Sequence, residues 1–424
     1  MNSTNIKIAL IGLGYVGLPL AVEFSKKYPT IGFDIKKQRI AELQDGHDST
    51  LEVSGDELKL ASNLIFACEE HEIKDANVFI VTVPTPIDQH RQPDLTPLIK
   101  ASELLGRVIK KGDVVIYEST VYPGATEEEC IPVIEKVSGL KFNKDFYAGY
   151  SPERINPGDK NRPVSKIQKV TSGSTPEIAE FVDQLYRTII SAGTFKAASI
   201  KVAEASKIIE NTQRDVNIAL INELSMIFSH MGIDTGDVIE AAATKWNFIK
   251  LQPGLVGGHC IGVDPYYLVQ KSMSVGHIPD MIRTAREIND GMARFVVGKL
   301  VKSMINNDQT IKKSKALVLG FTFKENCPDI RNTKVVDLIS EMKSYGMSVD
   351  IHDPWVQQPD IEGEYGLSIV ASPAINTYDV IVIAVAHDEF KDMGEKLGQF
   401  GKNIRTILDM KNVLGNLSMG QVRL

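Results

Sequence analysis

Cysteine is scarce. Cys68, Cys130, Cys260 and Cys327 are scattered through 424 residues, too few and too far apart for a disulfide framework. The expected setting is a reducing cytoplasm, where a thiol remains available for chemistry. Also missing is any apolar run near the ~18 residues that a membrane helix needs. The opening residues, MNSTNIKIALIG, enter a strand-like run without the basic segment and apolar stretch of a signal peptide. Neither a membrane partner nor secretion is expected. Basic charge is in deficit: 47 Lys and Arg face 54 Asp and Glu, a net charge of −7, which argues against a general nucleic-acid binder. What is present is a globular composition, 43% hydrophobic and 24% charged, in a chain long enough for two or three domains.

One stretch organises the reading: Gly254 to Pro265, GLVGGHCIGVDP. Glycines at 254, 257, 258 and 262 allow close approach of the backbone to another group, so something is expected to lie against this loop. Cys260 sits in its middle, and Asp264 precedes a Pro suited to the first turn of a helix. A thiol at such a place can be activated as a nucleophile; taken alone, it reads as readily as a small buried residue in a tight turn.

The chain begins with β and α runs in alternation. Ile6 to Ile11 is an apolar strand, followed by GLGYVG and a helix to about Phe24. Gly12, Gly14 and Gly17, with Tyr15 and Val16 between them, form GxGxxG in the strand–turn–helix context of a dinucleotide fingerprint. The next strand ends in Asp34, 17 residues after the last glycine, where an acid accepts hydrogen bonds from ribose hydroxyls and repels a 2′-phosphate. The expected cofactor is NAD. Arg39 is a candidate cover for adenine or ribose, or else part of a solvated helix face. Strands at Asn77 to Val83 and Asp113 to Glu118, with helices at Leu95 to Ile109 and Thr126 to Val137, give the rhythm of a doubly wound parallel sheet. Loops leaving such strands carry ligand groups, here Thr85 and Thr120. SPERINPGD, after a strand at Phe146 to Tyr150, adds Glu153, Arg154 and Asn156.

From Ser199 to Met231 a helical pattern runs about 45 Å at ~1.5 Å per residue, with an apolar stripe through Val202, Ala205, Ile209, Val216, Leu220, Leu224, Ile227 and Met231 that suits a connector or a dimer core. Lys207, Asn211 and Arg214 share one helix face, which by residue type alone reads as a solvated face. Helices at Asp234 to Lys245, Asp264 to Met273 and Met281 to Met304 follow. At Lys315 the β/α rhythm restarts, with Asp353 placed like Asp34 but only Gly320 after the first strand. A second Rossmann-like fold that has lost its pyrophosphate turn is expected, with a ligand loop at Lys324 to Arg331. The fold class is therefore α/β: two Rossmann-like doubly wound domains, at 1–198 and 311–424, joined through a helical connector and dimerisation region at 199–310.

In order and spacing, GLGYVGLPLA, VPTP, STVYPG, SPERINPG, EASKIIENT, GGHCIGVDP and GFTFKENCPDIRNT resemble the UDP-glucose/GDP-mannose dehydrogenase family over essentially the whole length. Within it the chain is most similar to the branch oxidising UDP-N-acetylhexosamines, and there to enzymes acting on UDP-N-acetylglucosamine for Vi-antigen and O-antigen synthesis. Val263 stands where the UDP-glucose branch has a Lys, and Pro157 where it has a second glutamate. The resemblance implies that Cys260 is the nucleophile and that Lys207 moves a proton or stabilises an oxyanion, with Thr120, Glu153, Asn211 and Asp264 completing the catalytic set. It implies NAD contacts at Val16, Asp34, Arg39, Thr85, Thr120 and Arg331. UDP-sugar contacts fall at Arg154, Ile155, Lys207, Asn211, Arg214, Gly257, Phe323, Lys324 and Lys411. A homodimer is implied, with Lys245 or Lys250 of the partner subunit reaching a shared site.

The implied reaction is oxidation of the C6 hydroxyl to a carboxylate with two NAD, through a thiohemiacetal and a thioester on Cys260. The alternatives are the galacto, manno or UDP-glucose substrates, a one-step dehydrogenase that releases aldehyde with one NADH, and an inactive NAD-binding regulatory protein. No metal is expected, because His259 and Cys260 are adjacent and Cys68 with His71 lacks further partners at metal-ligand spacing.

Overall fold

The computed structural model describes residues 6–88, 90–155, 162–258, 260–402, 406–415 and 421–424. Asn156, Pro157 and His259 of the sequence reading lie outside the described residues. The chain divides into two compact units, Met1–Glu210 with Tyr266–His277, and Asn211–Pro265 with Ile278–Leu424.

The first unit is built on strands β1 (Ile8–Ile11), β2 (Thr30–Phe33), β3 (Leu64–Ala67), β4 (Val78–Val81), β5 (Val114–Tyr117), β6 (Tyr147–Tyr150), β7 (Lys169–Gly173) and β8 (Thr194–Lys196). Their spatial order is β3-β2-β1-β4-β5-β6-β7-β8, so the order reverses between β1 and β4, where doubly wound sheets bind nucleotides. Helices α1 (Gly17–Ser25), α2 (Lys37–Gln44), α3 (Gly55–Leu60), α4 (Thr96–Val108), α5 (Ile131–Ser138) and α6 (Pro176–Arg187) lie between the strands in sequence. Ile8 and Leu10 pack with residues of α1, α2 and α6, whereas Ala9 and Ile11 pack with residues of α4 and α5. Because alternate side chains serve both covered faces, the central strands β1, β4 and β5 are buried and apolar throughout.

One expectation needs correction. The rhythm suggested an all-parallel sheet, but β6 and β7 pair antiparallel, with Gly149 opposite Gly173. Tyr150 likewise lies opposite Ser172, so β7 runs against the six strands before it in the sheet.

Helices α7 (Ile200–Met231), α8 (Thr235–Ala243), α9 (Asp264–Ser274) and α10 (Asp280–Asn306) follow, near the sequence-predicted bounds. The buried side of α7 is mixed, with Ile200, Ala203, Ile208, Ala219 and Ile221 beside a run of polar residues. Val202, Ile209, Leu220, Ile227 and Met231 are exposed, while Glu204, Lys207, Asn211, Thr212, Asp215, Asn222 and Ser225 are buried. The solvated-face reading holds for exposed Arg214 and fails for Lys207 and Asn211.

The second sheet comprises β9 (Lys315–Leu319), β10 (Ser348–His352), β11 (Val380–Ile383), β12 (Ile407–Asp409) and β13 (Gln421–Arg423), in the parallel order β10-β9-β11-β12-β13. Its switch point lies between β9 and β11. Helices α11 (Val335–Ser344), α12 (Gln358–Tyr365) and α13 (Asp388–Met393) complete it. Ala316, Val318, Val380 and Val382 pack with α10 and α11, and Leu317, Leu319, Ile381 and Ile383 with Phe390, Leu397 and Phe400. Among the described residues no helix is long and apolar enough to cross a membrane.

Candidate active site

The first unit presents a turn shaped for a pyrophosphate. Gly12 has φ +99°, and a Cβ on Gly17 would lie 1.9 Å from the Gly12 carbonyl oxygen, so close packing of turn against helix demands both glycines. Gly14 differs: it is exposed and a Cβ there would meet nothing within 4 Å. The protein itself does not require that glycine, whereas a ligand approaching the backbone does. Tyr15 and Val16, on the same turn, are partly exposed. Thr82, at the end of β4, donates its hydroxyl to the Gly12 carbonyl at 2.7 Å and locks the two sides of the switch point.

Asp34 leaves β2 with Oδ2 accepting from Leu13 N and Oδ1 from Lys36 N, each at 2.9 Å. Each carboxylate oxygen keeps a lone pair for a ribose hydroxyl. The residues present therefore fit NAD. Arg39 has a definite role within the fold. It is buried, donates from Nε to Leu13 O at 2.9 Å, and pairs with Asp48 at 2.7 Å and Glu42 at 3.1 Å. Its guanidinium braces the turn from behind.

The loops after β4 and β5 carry Thr85 and Thr120, both partly buried. Tyr267 donates to Pro86 O at 3.0 Å, next to Thr85. Ser119 donates to Val83 O at 2.6 Å and Tyr150 to Ser119 O at 3.1 Å. Glu204 of α7 accepts from Gly124 N at 2.5 Å and Thr126 N at 2.9 Å, so Thr120 stands on a loop held at both ends.

Glu153 follows β6. Its Oε1 accepts from Ile155 N, and its Oε2 is buried without a partner. Burial pushes this carboxyl up, against the opposing pull of Lys169 and Lys207. Beneath it Lys169 donates to Pro152 O at 2.8 Å and to Glu118, whose other oxygen accepts from Tyr186. Burial pushes the Glu118 carboxyl up to about 7 in spite of the neighbouring ammonium. Arg154 binds Glu210 and donates to Gln168 O at 2.9 Å, and Ile155 is partly buried.

In the second unit the Cys260 loop is fastened along its length. Asn222, fully buried on α7, donates to Gly254 O at 3.1 Å and accepts from Gly254 N at 2.8 Å. Asn289 and Arg286 of α10 bind Asp215 at 2.7 and 2.6 Å, and Asn289 accepts from Asn222 at 2.8 Å. Asp264 N donates to Cys260 O at 2.9 Å, which places the partly buried cysteine one turn ahead of the N-terminus of α9, where the helix dipole favours negative charge. Asn211 donates to Asp264 Oδ2 at 2.5 Å, and both residues are buried.

The expectation that something lies against the loop is met by the chain itself. A Cβ on Gly257 would sit 2.7 Å from Asn332 O, one on Gly258 would sit 2.6 Å from the Phe323 ring, and one on Gly254 would sit 3.3 Å from the Lys411 ammonium. Lys324 holds its ammonium 5.6 Å from the centre of the Phe323 ring, and Arg331 pairs with Asp329 at 2.6 Å. Gly258→Ala is expected to destabilise the protein by at least ~1 kcal/mol, because φ is +83° and the added methyl must displace Phe323. Thermal melting of the variant checks this; an unchanged Tm sinks it.

Glu118, Lys169, Glu204, Asp215, Asn222 and Asn289 were not foreseen. A usable signal existed: Glu118 and Lys169 are charges at the ends of apolar strand runs, and 204, 207, 211, 215 and 222 follow one helical face.

Comparison with known proteins places this arrangement. The UDP-glucose/GDP-mannose dehydrogenase models match the NAD binding domain over residues 6–190, the central domain over 201–291 and the UDP binding domain over 317–416. The chain belongs to the UDP-glucose/GDP-mannose dehydrogenase family. Among its relatives, a UDP-N-acetyl-D-glucosamine 6-dehydrogenase of Pseudomonas aeruginosa is 62% identical over 97% of both chains. The protein of that name in Salmonella typhi is 56% identical over 96% of both. The solved UDP-D-ManNAc dehydrogenase of Pyrococcus horikoshii superposes with a TM-score of 0.89 at 30% identity, covering 99% of this chain and 98% of the other. As a member of this family the protein is an NAD-dependent nucleotide-sugar dehydrogenase.

Proposed function

We propose that the chain is a UDP-N-acetylglucosamine 6-dehydrogenase that makes the uronic acid for capsule or O-antigen precursors. The observation that carries the reading is the Cys260 loop, held by buried side chains at the N-terminus of α9 with the Asn211–Asp264 bond beside it. The sugar is assigned from the relatives most alike in sequence. The three-part division at 198 and 310 belongs to the same reading.

The Gly12–Gly17 turn and Asp34 would hold NAD, which would supply the hydride acceptor for both oxidations. In the first, Lys207 receives the C6 hydroxyl proton as the aldehyde forms. The Cys260 thiolate then adds to the aldehyde carbon, forming a C–S bond, and Lys207 and Asn211 stabilise or protonate the new oxygen. One oriented donor at such an oxyanion contributes ~3–4 kcal/mol in other enzymes. Loss of the second hydride and of the hydroxyl proton leaves a thioester. Water, oriented by Thr120, Glu153 and Asp264, cleaves it to the carboxylate and returns the thiol. Each sugar yields two NADH and consumes one water.

Arg154, Ile155, Arg214, Gly257, Phe323, Lys324 and Lys411 are assigned to the UDP-sugar, and Thr85, Arg39 and Arg331 to the NAD side. The exposed apolar side chains Leu220, Ile227 and Met231 of α7 and Met281 of α10 support a homodimer, to which Lys245 or Lys250 of the partner subunit would add its charge.

The deciding assay supplies UDP-GlcNAc, UDP-GalNAc, UDP-ManNAc and UDP-glucose in parallel and counts NADH. Two NADH per UDP-GlcNAc, at the highest kcat/KM of the four, is expected. One NADH with released aldehyde, or preference for another sugar, overturns the proposal.

A further inference from the structure

The second sheet keeps the acid of a dinucleotide fold and uses it differently. Asp353 follows β10 as Asp34 follows β2, and β10 lies beside β9 as β2 lies beside β1. Asp34 remains partly exposed. Asp353 is buried and accepts from Phe321 N at 2.6 Å, Thr322 N at 3.1 Å and Trp355 N at 2.8 Å. Its Oδ2 also lies 3.1 Å from His387 Nε2. Burial alone would raise this carboxyl, but the bonds from His387, Phe321 and Trp355 outweigh it and hold the carboxyl below its usual range. Asp353 is therefore not offered to a ligand ribose as Asp34 is. Gly320 closes the site further, because a Cβ on it would lie 2.8 Å from Val385 N.

His387 is fully buried just past β11, on the other side of the switch point, and receives Asn326 N–H on Nδ1 at 3.0 Å. The ring therefore carries its proton on Nε2, facing Asp353 and Thr322 Oγ1, each at 3.1 Å. Thr322 in turn donates to Lys324 O at 2.8 Å. Asn326 adopts φ +53° and exchanges two bonds with Asp388, at 2.8 and 3.1 Å. Apart from the His387–Asp353 bond itself, each of these bonds ends on the segment 321–326, which carries Phe323 and Lys324.

We infer that the buried Asp353–His387 pair is a latch that sets the conformation of the 321–326 loop for a uridine diphosphate group, making His387 a positioning residue. The inference rests on the reading that Phe323 and Lys324 hold the UDP-sugar. An imidazole suits the task because it accepts from the loop at one nitrogen and donates to the acid at the other, joining two strand ends that backbone bonds do not connect. Neither atom of the pair needs to touch the ligand.

The test measures binding rather than turnover. UDP and NAD are titrated separately by calorimetry into the full-length wild type and into H387A, H387N and H387Q. An Asn amide oxygen falls near Nδ1, and a Gln amide reaches toward Nε2. The expected result is UDP binding weakened about tenfold or more in H387A, an unchanged NAD affinity, and recovery of most UDP affinity in H387N. Wild-type UDP affinity in H387A overturns the latch while leaving the UDP site in place. H387N as weak as H387A overturns it too. Failure of the wild type to bind UDP overturns the reading of the site itself, and the latch with it. Trp355 stacks on His387, with ring centres 6.2 Å apart and 19° between planes, and Trp246 is the other tryptophan. In W246F, with the latch unmutated, UDP is expected to produce a saturable change in Trp355 emission. Calorimetric binding without that change overturns the proposal even if the His387 variants do not fold.

Discussion

Cys260→Ser is expected to stop the reaction half-way. The aldehyde still forms, since its formation needs only the hydride acceptor and a base such as Lys207. A serine hydroxyl is far less nucleophilic than a thiolate, so capture of the aldehyde fails and no acyl intermediate accumulates. Uronate production should fall by ~10⁴ or more, the scale seen when a covalent nucleophile is removed. The stoichiometry is more telling than the rate: NADH should stop at one equivalent per sugar, with aldehyde recoverable by hydroxylamine trapping. Two NADH per sugar from this variant would end the covalent scheme.

Lys169→Met should have the largest effect on stability. Its ammonium binds Glu118 and the Pro152 carbonyl in a fully buried setting. Methionine fills the volume and removes the charge, leaving Glu118 uncompensated, a change that costs ~3–5 kcal/mol for a broken buried pair. The loss should depend on pH. Glu118 already has a folded-state pKa pushed up to about 7 from 4.5, and removing the ammonium raises it further. A carboxyl with a higher pKa folded than unfolded favours the fold in acid and loses that advantage as pH rises between the two values. The Tm gap to wild type should therefore be small near pH 5 and widen through pH 8. Adding Glu118→Gln should close much of it. A gap that is flat across this range removes Glu118 as the cause.

The strands and α7 were legible because both faces of a doubly wound sheet are covered and because a long helix repeats its pattern many times. The short edge strands β3 and β13 were not, since LIFA and QVR carry too few residues to stand out from their surroundings. The antiparallel β6–β7 pair is a matter of strand direction, which no local pattern encodes. For the site, the residue types at Gly12, Gly17 and Asp34 dictated their surroundings. Lys207 and Asn211 looked like a wet surface because solvent is the default partner of a charge or amide, and only the three-dimensional neighbourhood reveals another. The glycines of the Cys260 loop promised a close neighbour without naming it, and Gly257 and Gly258 make room for Asn332 and Phe323. His387 lay within an apolar strand ending, VIVIAVAH, that gave no hint of its two hydrogen-bonding sides.

The long helix α7 belongs to both units of the chain, which divide between Glu210 and Asn211. Its first turns bind Gly124 and Thr126 through Glu204 in one unit, and its later turns bind Arg286 and Gly254 through Asp215 and Asn222 in the other. A fragment that kept the whole helix but only one unit would leave the polar residues of the other half of the helix without their partners. The two compact units therefore draw on a single uninterrupted rod, and a break in it is a break in both.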